Sequence, residues 1–421
     1  MAATQSDVLV VGGGVIGLSV AIALAEAGRH VRIVEAGRVG GGSSHGNCGT
    51  LTPSHAPPLS APGVPLKALR WMLTPDAPLY VPPRLDPLLW RWLLRLAARA
   101  NARDWRASAL AKGALLNDSR ARLNDWMSRY GIDAEFVESG LDYVYRTDAA
   151  FADGQRDLPL LRELGIDAHA IDSATYQAQE PALKPGVAGA IHFPGDAMLR
   201  PDRYVAELAR VAAVRGVTIE PDTPMRGARR DGANWRVETP GGAFDAPRLV
   251  LATGAWSHRE ADALGLPWLR HAVQPGKGYS ITYDAPERAP RRPLVLRERS
   301  VCVTAWGSGF RLGSTMEFSG FDDSLNARRL AALERGASEY LHVPTGPAVR
   351  ERWYGWRPMC VDDVPILGPV PGRDGLWLAT GHGMMGMGMS AGTGQLLADL
   401  ITGRPPAIDP APYRPGRFVG A

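Results

Sequence analysis

VLVVGGGVIGL, residues 8–18, decides how this chain is read. Four apolar residues, Val8 to Val11, run into a glycine cluster, and an apolar helical pattern follows at once. Gly12, Gly14 and Gly17 have the G-x-G-x-x-G spacing, with Val15 and Ile16 inside the turn. In a dinucleotide-binding turn the first glycine makes the tight bend out of the strand. The second lets the backbone approach a pyrophosphate, and the third lets helix and strand pack closely. Phosphates then sit at a helix N-terminus, where free N–H groups and the macrodipole favour negative charge. In a chain with 48 glycines the spacing alone is weak, so the flanks decide. Residues 18–27 read as a short alanine-rich helix stopped by Gly28. HVRIVE, from His30, reads as a second strand ending in Glu35 and followed by Ala36. That acid lies close to twenty residues past the glycines, where a carboxylate accepts from ribose hydroxyls.

Composition narrows the class. At 421 residues the chain is too long for one ordinary core, which predicts two domains. Apolar residues make up 45% and charged residues 21%, a globular balance, and the net charge of +4 gives no electrostatic case for nucleic acid. Cys48, Cys302 and Cys360 are far apart and odd in number, so neither a disulfide framework nor a metal site is expected. MAATQSDVLVV lacks a basic segment followed by a long apolar run, so no secretory leader is expected and a cytoplasmic setting is. No stretch is apolar enough to span a membrane.

The segment after Glu35, AGRVGGGSSHGNCGTLTPS, offers backbone N–H groups and small hydroxyls, either to a cofactor or as a plain loop. Proline is frequent from 56 to 87. LLWRWLLRLAARANARDWR, from Leu88, has near-helical apolar spacing with interleaved arginines. It suits a helix packed on the protein or an interfacial helix on a membrane surface. A further helix is predicted over 108–130 with Gly131 as its stop. Another runs from Pro201 to about Gly216, followed by a strand from Val217. LVLATG, ending at Gly254, is a fully apolar strand that brings the chain back to the first sheet. From 271 to 318 strand-like segments predict an antiparallel sheet, and LWLATGHGMMGMGMSAGTGQLLADL, from Leu376, reads as strand, glycine-rich turn and helix.

These pieces together resemble the FAD-dependent D-amino acid oxidase superfamily, most closely its bacterial D-amino acid and D-hydroxyproline dehydrogenases. The matching residues are GGGVIG at Gly12, SSHGNCGTL at Ser43, APGVPLKALRWML at Ala61, LATGAWS at Leu251, GKGYS at Gly276, GWRPMCVDDVPILG at Gly355 and ATGHGMMGMGMSAGTGQLLADL at Ala379. The resemblance implies an α/β fold: a discontinuous Rossmann-like FAD domain (1–60, 195–258 and 350–421) and an α+β substrate domain with a large mixed or antiparallel sheet (61–194 and 259–349). It implies non-covalent FAD, with Gly12, Gly14, Val15, Ile16, Gly17, Glu35 and Ala36 on the ADP half. Ser43, Ser44, Asn47 and Gly49 would line the pyrophosphate and flavin, Val217 the adenine, and Gly254 and Trp256 the strand under the cofactor. Gly383, Met384, Met385, Gly386 and Met387 would face the flavin pyrimidine. The methionines equally suit packing.

By the same resemblance Arg357, in G-x-R-P, would grip a substrate carboxylate, for which a planar guanidinium fork is suited. Tyr279 and His382 are the other catalytic candidates, with Tyr354 behind them, and each could instead be a satisfied buried residue. The implied reaction takes the Cα–H of a D-amino acid with a neutral amine as hydride, giving an imine. Electrons then pass to a quinone-type acceptor, reached by peripheral contact with the cytoplasmic face of a membrane. The alternative is an oxygen-using glycine or sarcosine type of oxidase. A flavin-binding protein without turnover would need Arg357 and the site tyrosines to be missing or blocked. Cys360 lies too late in the motif to attach a flavin.

Overall fold

The computed structural model describes residues 6–63 and 79–419. Most of APGVPLKALRWML therefore lies outside the described residues. In chain order the first elements are β1 (Val8–Val11), α1 (Val15–Glu26) and β2 (Val31–Val34). Next come α2 (Pro87–Ala98), α3 (Ala102–Tyr130), β3 (Leu141–Tyr145), β4 (Gly189–Phe193), α4 (Pro201–Val214), β5 (Thr218–Glu220) and β6 (Arg248–Leu251). The C-terminal half adds β7 (Val273–Tyr283), β8 (Leu294–Leu296), β9 (Val301–Trp306), β10 (Gly309–Gly313) and α5 (Ala327–Tyr340). The last are β11 (Val349–Cys360), β12 (Ile366–Pro369), β13 (Leu376–Thr380) and α6 (Gly386–Thr402).

The first sheet runs β12-β13-β6-β1-β2-β5. All its pairs are parallel except β12 with β13. Parallel strands are covered on both faces and so are apolar throughout. Val8 and Val10 point into one core with α1, α4 and α6, while Leu9 and Val11 point into another with Trp235 and Val237 of a small antiparallel meander. Between two such layers α1 is apolar on every side, and its residues from Val15 to Leu24 are all buried.

The second sheet carries the order Leu79–Tyr80, Met316–Glu317, β7, β10, β9, β8, β3, β4, His169–Asp172, with β11 pairing β7 along its length. It is mostly antiparallel. Tyr279, Ile281 and Tyr283 point from β7 into a core closed by Leu330, Leu333 and Ala337 of α5. The sequence expectation gave everything from 350 onward to the dinucleotide sheet. Instead β11 belongs to the second sheet, and the chain returns to the first only between Cys360 and Ile366. The G-x-R-P motif is thus a strand of the large sheet.

Candidate functional site

The glycine turn at the end of β1 has no room for side chains. Gly12 has φ +108°, and a Cβ there would sit 2.5 Å from the Ala252 carbonyl oxygen. A Cβ on Gly17 would meet the Gly12 oxygen at 1.8 Å. The N-cap residue Gly14 has no side chain to cap α1, and the Val15 N–H turns to Ser44 Oγ at 3.0 Å. Glu35 follows β2, and its carboxylate accepts from the N–H groups of Gly13 (2.6 Å) and Gly37 (3.1 Å). The N-terminus of α6 is likewise without a side-chain cap. Two uncapped helix starts, a backbone-only turn and a carboxylate at the strand ends fit a dinucleotide: phosphate against N–H groups, ribose against Glu35.

The loop after Glu35 is folded by its own residues. Asn47 Nδ2 donates to the Ser43 carbonyl at 3.1 Å, and Asn47 Oδ1 accepts from the Gly49 N–H at 2.9 Å. Gly49 has φ +69° and touches the Leu199 carbonyl so closely that a Cβ would lie 1.9 Å from it. The loop sits on the large sheet: Ser280 Oγ donates to the Gly46 carbonyl and Arg311 Nη1 to the Asn47 carbonyl, each at 2.7 Å, while Ser43 Oγ donates to the Trp356 carbonyl. Trp256, just past Gly254, lies against Gly42 and meets Trp356 edge-on with centroids 5.5 Å apart.

Strand alternation sorts the catalytic candidates. Gly276 pairs with Arg357, Gly278 with Gly355 and Ser280 with Trp353, so these six residues share the face that meets the loop. On that face the Arg357 guanidinium fills the space over Gly278, where a Cβ would fall 2.3 Å from Nη1. Arg357 Nη1 donates to the Thr315 carbonyl at 2.7 Å and lies 3.9 Å from Met316 Sδ. Among the described residues these are its hydrogen-bond contacts, which leaves Nη2 and Nε for a carboxylate. Desolvation pulls its pKa down, opposed by Cys48 and Cys302. The Cys302 thiol hydrogen-bonds to the Cys48 sulfur and lowers the pKa of Cys48, while burial works against that.

Three catalytic expectations are corrected. Tyr279 and Tyr354 pair with each other on the opposite face, because each stands an odd number of residues from the Gly276–Arg357 pair. The Tyr279 hydroxyl donates to buried Glu317 at 3.2 Å, and Tyr354 meets Trp356 edge-on with Lys277 Nζ over its ring. His382 is buried with Nε2 at 3.0 Å from Thr393 Oγ1, so it ties its turn to α6, and burial pulls its pKa down to about 3.

Two cofactor expectations also change. Val217 enters β5 at the amino ends of the parallel strands, and its side chain is in the core. It is about 10 Å, three residues of rise, from the Glu220 end beside Glu35. Met387 is core as well, whereas Gly383, Met384, Met385 and Gly386 form the turn at the open end of α6. Met385 Sδ accepts from Thr52 Oγ1 at 3.6 Å.

Sequence reading missed His55 and Tyr143. They lie 88 residues apart, yet Tyr143 Oη is 3.0 Å from His55 Nε2. Register places Tyr143 on the Arg357 face: Tyr143 pairs with Val295, Val295 with Cys302, Cys302 with Gly313, and Gly313 with Ser280. The histidine follows directly on the loop motif, the one signal that pointed to it. Nothing local marks the tyrosine.

A family model described as FAD dependent oxidoreductase matches residues 7–400. A D-amino acid dehydrogenase of Methylobacterium nodulans is 34% identical over 98% of this chain and 99% of its own length. Among solved structures, glycine oxidase from Geobacillus kaustophilus aligns with a TM-score of 0.76 at 27% identity, covering 98% of both chains. L-proline dehydrogenase from P. horikoshii shares the fold, with a TM-score of 0.73 at 17% identity over 99% of this chain and 98% of that one. With the dinucleotide cradle, the second sheet and these likenesses in hand, the chain belongs to the FAD dependent oxidoreductase (DAO) family, and FAD is its cofactor.

Proposed function

We propose that this protein is a D-amino acid dehydrogenase that binds its substrate by the α-carboxylate on Arg357. The observation that carries the reading is the half-engaged guanidinium on the loop-facing side of the large sheet, in a chain 34% identical to a D-amino acid dehydrogenase. A carboxylate on Nη2 and Nε forms two parallel charge-assisted bonds, which fix Cα in one orientation. FAD, held at Gly12–Gly17, Glu35, the 43–49 loop and the turn before α6, supplies the two-electron acceptor for the Cα hydrogen. The amine must be neutral for its lone pair to assist, and the product imine hydrolyses to a 2-oxo acid or stays cyclic for a proline-like substrate. The Cys360 thiol is buried against Asp362 and Arg417, which supports a non-covalent flavin. Acid precipitation should then leave the yellow colour in solution.

Anaerobic bleaching of the flavin by a panel of D- and L-amino acids, hydroxyprolines, sarcosine and glycine tests the reaction. Bleaching by a D-series member supports the reading. Bleaching by sarcosine or glycine alone replaces it with the oxidase that the glycine oxidase likeness favours. A slow return of colour in air, with fast return on a soluble quinone, supports a quinone-type acceptor.

No helix among the described residues is long and apolar enough to cross a membrane. The surface of α2 suits peripheral contact instead: Trp90 and Leu94 are exposed, with Arg91 exposed beside them and Leu85 exposed just before the helix. Flotation with anionic vesicles, lost in a Trp90→Asp, Leu94→Asp variant, is the expected result. Equal flotation of variant and wild type would remove α2 from the interface.

A further inference from the structure

The thiols of Cys48 and Cys302 meet on the face of the large sheet that the 43–49 loop covers. Val301 and Val303 point from β9 into the core under α5, so Cys302 between them points to the loop. Cys302 pairs with Gly313 of β10, and Gly313 pairs with Ser280 of β7. Gly313 has no side chain, and the Cys48 sulfur takes that volume. A Cβ on Gly313 would lie 2.6 Å from Cys48 Sγ and 3.5 Å from Ser280 Cβ. Cys48 therefore reaches from the loop into the slot beside Cys302, and the Cys302 thiol hydrogen-bonds to the Cys48 sulfur. Both are free thiols, Cys48 half-buried and Cys302 buried.

Two guanidiniums are fixed around the pair by direct bonds. Arg311 lies two residues before Gly313 on the same face, and its Nη1 donates to the carbonyl of Asn47, the residue before Cys48, at 2.7 Å. Arg357 Nη1 donates at 2.7 Å to the carbonyl of Thr315, two residues past Gly313. The Arg357 guanidinium itself lies over Gly278, two residues along β7 from Ser280. Two residues of strand rise make that step roughly 7 Å. The thiol pair thus stands beside the proposed carboxylate anchor, on the same face of the same sheet.

We propose that Cys48 and Cys302 are a reversible dithiol–disulfide switch, closed by a hydroperoxide, that controls the Arg357 site through the 43–49 loop. The control, though not the disulfide, rests on the functional reading above. Cys48 is the attacking sulfur. The Cys302 bond, then Arg311 and Arg357, lower its pKa against burial, while that same bond and burial raise Cys302. A thiolate among cations with a second thiol in contact to resolve it is the arrangement of a redox-sensing cysteine.

With hydrogen peroxide as oxidant, the Cys48 thiolate attacks one peroxide oxygen. An S–O bond forms, the O–O bond breaks, and the leaving hydroxide takes a proton from solvent to become water. The Cys302 sulfur then attacks the Cys48 sulfur. An S–S bond forms, the S–O bond breaks, and hydroxide leaves with the Cys302 proton as a second water. The two sulfurs lose two electrons and the peroxide gains them. A thiol reductant reverses the change by exchange.

Closing has a direction. A disulfide holds its sulfurs about 2.05 Å apart, nearer than two thiols in contact. Cys48 is drawn across β10 toward β9 and away from β7. The loop is held to β7 two residues earlier, where the Gly46 carbonyl accepts from Ser280 Oγ at 2.7 Å. The closed bond therefore pulls the loop against that joint, and the loop shifts relative to Arg357. A misplacement of about 1 Å costs on the order of 10²-fold in rate.

The test treats the flavin-loaded protein with hydrogen peroxide, quenches it in denaturant with an alkylating reagent and maps its peptides by mass. One of the three cysteines should still take the label, with the other two joined as a 48–302 cross-linked peptide. The labelled one is Cys360, whose thiol is buried against Asp362 and Arg417. The closed form should show kcat/KM lower by about tenfold or more for a bleaching amino acid. Dithiothreitol should restore both the thiols and the rate. In Cys302→Ala the same treatment should give no cross-link and no loss of rate that dithiothreitol reverses. Three labelled thiols after peroxide, or Cys48 carried on to a sulfinic acid with Cys302 free, overturns the switch. Complete cross-linking with kcat/KM unchanged overturns it as well. A wild-type flavin that no amine bleaches overturns the functional reading and the control with it, while the cross-linked peptide still decides the disulfide.

Discussion

Arg357 depends on what Gly278 lacks. The guanidinium occupies the volume of the missing side chain, with Nη1, Nη2 and Cζ all within 2.5 Å of where a Cβ would be. Gly278→Ala should therefore push the arginine off its position without touching its charge. A misplacement of about 1 Å costs on the order of 10²-fold in rate. The expected result is kcat/KM down by about that factor, mostly through KM, with the flavin spectrum kept; an unchanged KM would remove Arg357 as the carboxylate anchor. His382 makes a second prediction at this scale. Its native pKa is held near 3 by burial, against about 6.5 unfolded. Between those values the unfolded chain binds the extra proton and the native one does not, so stability rises with pH and is lost on acidification. One such proton corresponds to a slope of about 1.4 kcal/mol per pH unit. His382→Gln keeps a donor toward Thr393 and should flatten that slope between pH 6 and 4 in urea unfolding.

Among elements, the most exacting contact joins α3 to the turn after β11. Lys112 Nζ and Asp363 Oδ2 are 2.6 Å apart and both buried. The same oxygen accepts from the Leu59 N–H at 3.3 Å, and Asp363 holds a left-handed φ of +58°. A pair taken out of water this fully is costly to break from one side, by roughly 3–5 kcal/mol. Lys112→Met should cost about that much in denaturant unfolding. Adding Asp363→Gly, which removes the orphan charge and relieves the backbone, should recover much of it; no recovery would mean that packing, not charge, sets the loss.

Element scale is also where legibility in the sequence changes. The β1–α1–β2 unit was legible because a glycine spacing, a helix stop and Glu35 all lie within thirty residues and act locally. Arg357 drew notice through its motif, and the fold sets its guanidinium over Gly278. Tyr279 and Tyr354 were misassigned because the side a residue faces depends on strand parity and partner register, which tertiary packing decides. The Tyr143–His55 contact was not legible at all, since it exists only once residues 88 positions apart in sequence are folded together.

For the whole molecule, the proposed site lies between two sheets, and the 43–49 loop bonds directly to the second of them. In that reading the first sheet supplies the cofactor cradle and the second supplies Arg357. The carbonyls of Gly46, Asn47 and Trp356 are the joints, each accepting from a side chain across the seam. Ser280→Ala should loosen one joint by about 1 kcal/mol and lower flavin affinity more than stability, measurable by comparing flavin titration with thermal unfolding.

The interleaving of the first sheet has a consequence for how the chain is made. β1 lies between β2, close behind it, and β6, which begins at Arg248. At 5–20 residues per second, a ribosome that has finished β1 needs roughly 12–50 s to synthesise its second neighbour. Over that interval the nascent glycine turn and an α1 that is apolar on every side have nowhere to bury. The completed sheet waits longer still, for β13 at residues 376–380. Folding force on the ribosome, read with arrest peptides, should therefore stay low past residue 260 and rise only once about 400 residues have been made. Until then the N-terminal third is a client for whatever chaperone meets it first, and its yield in a cell should track chaperone supply more than the stability of the finished protein.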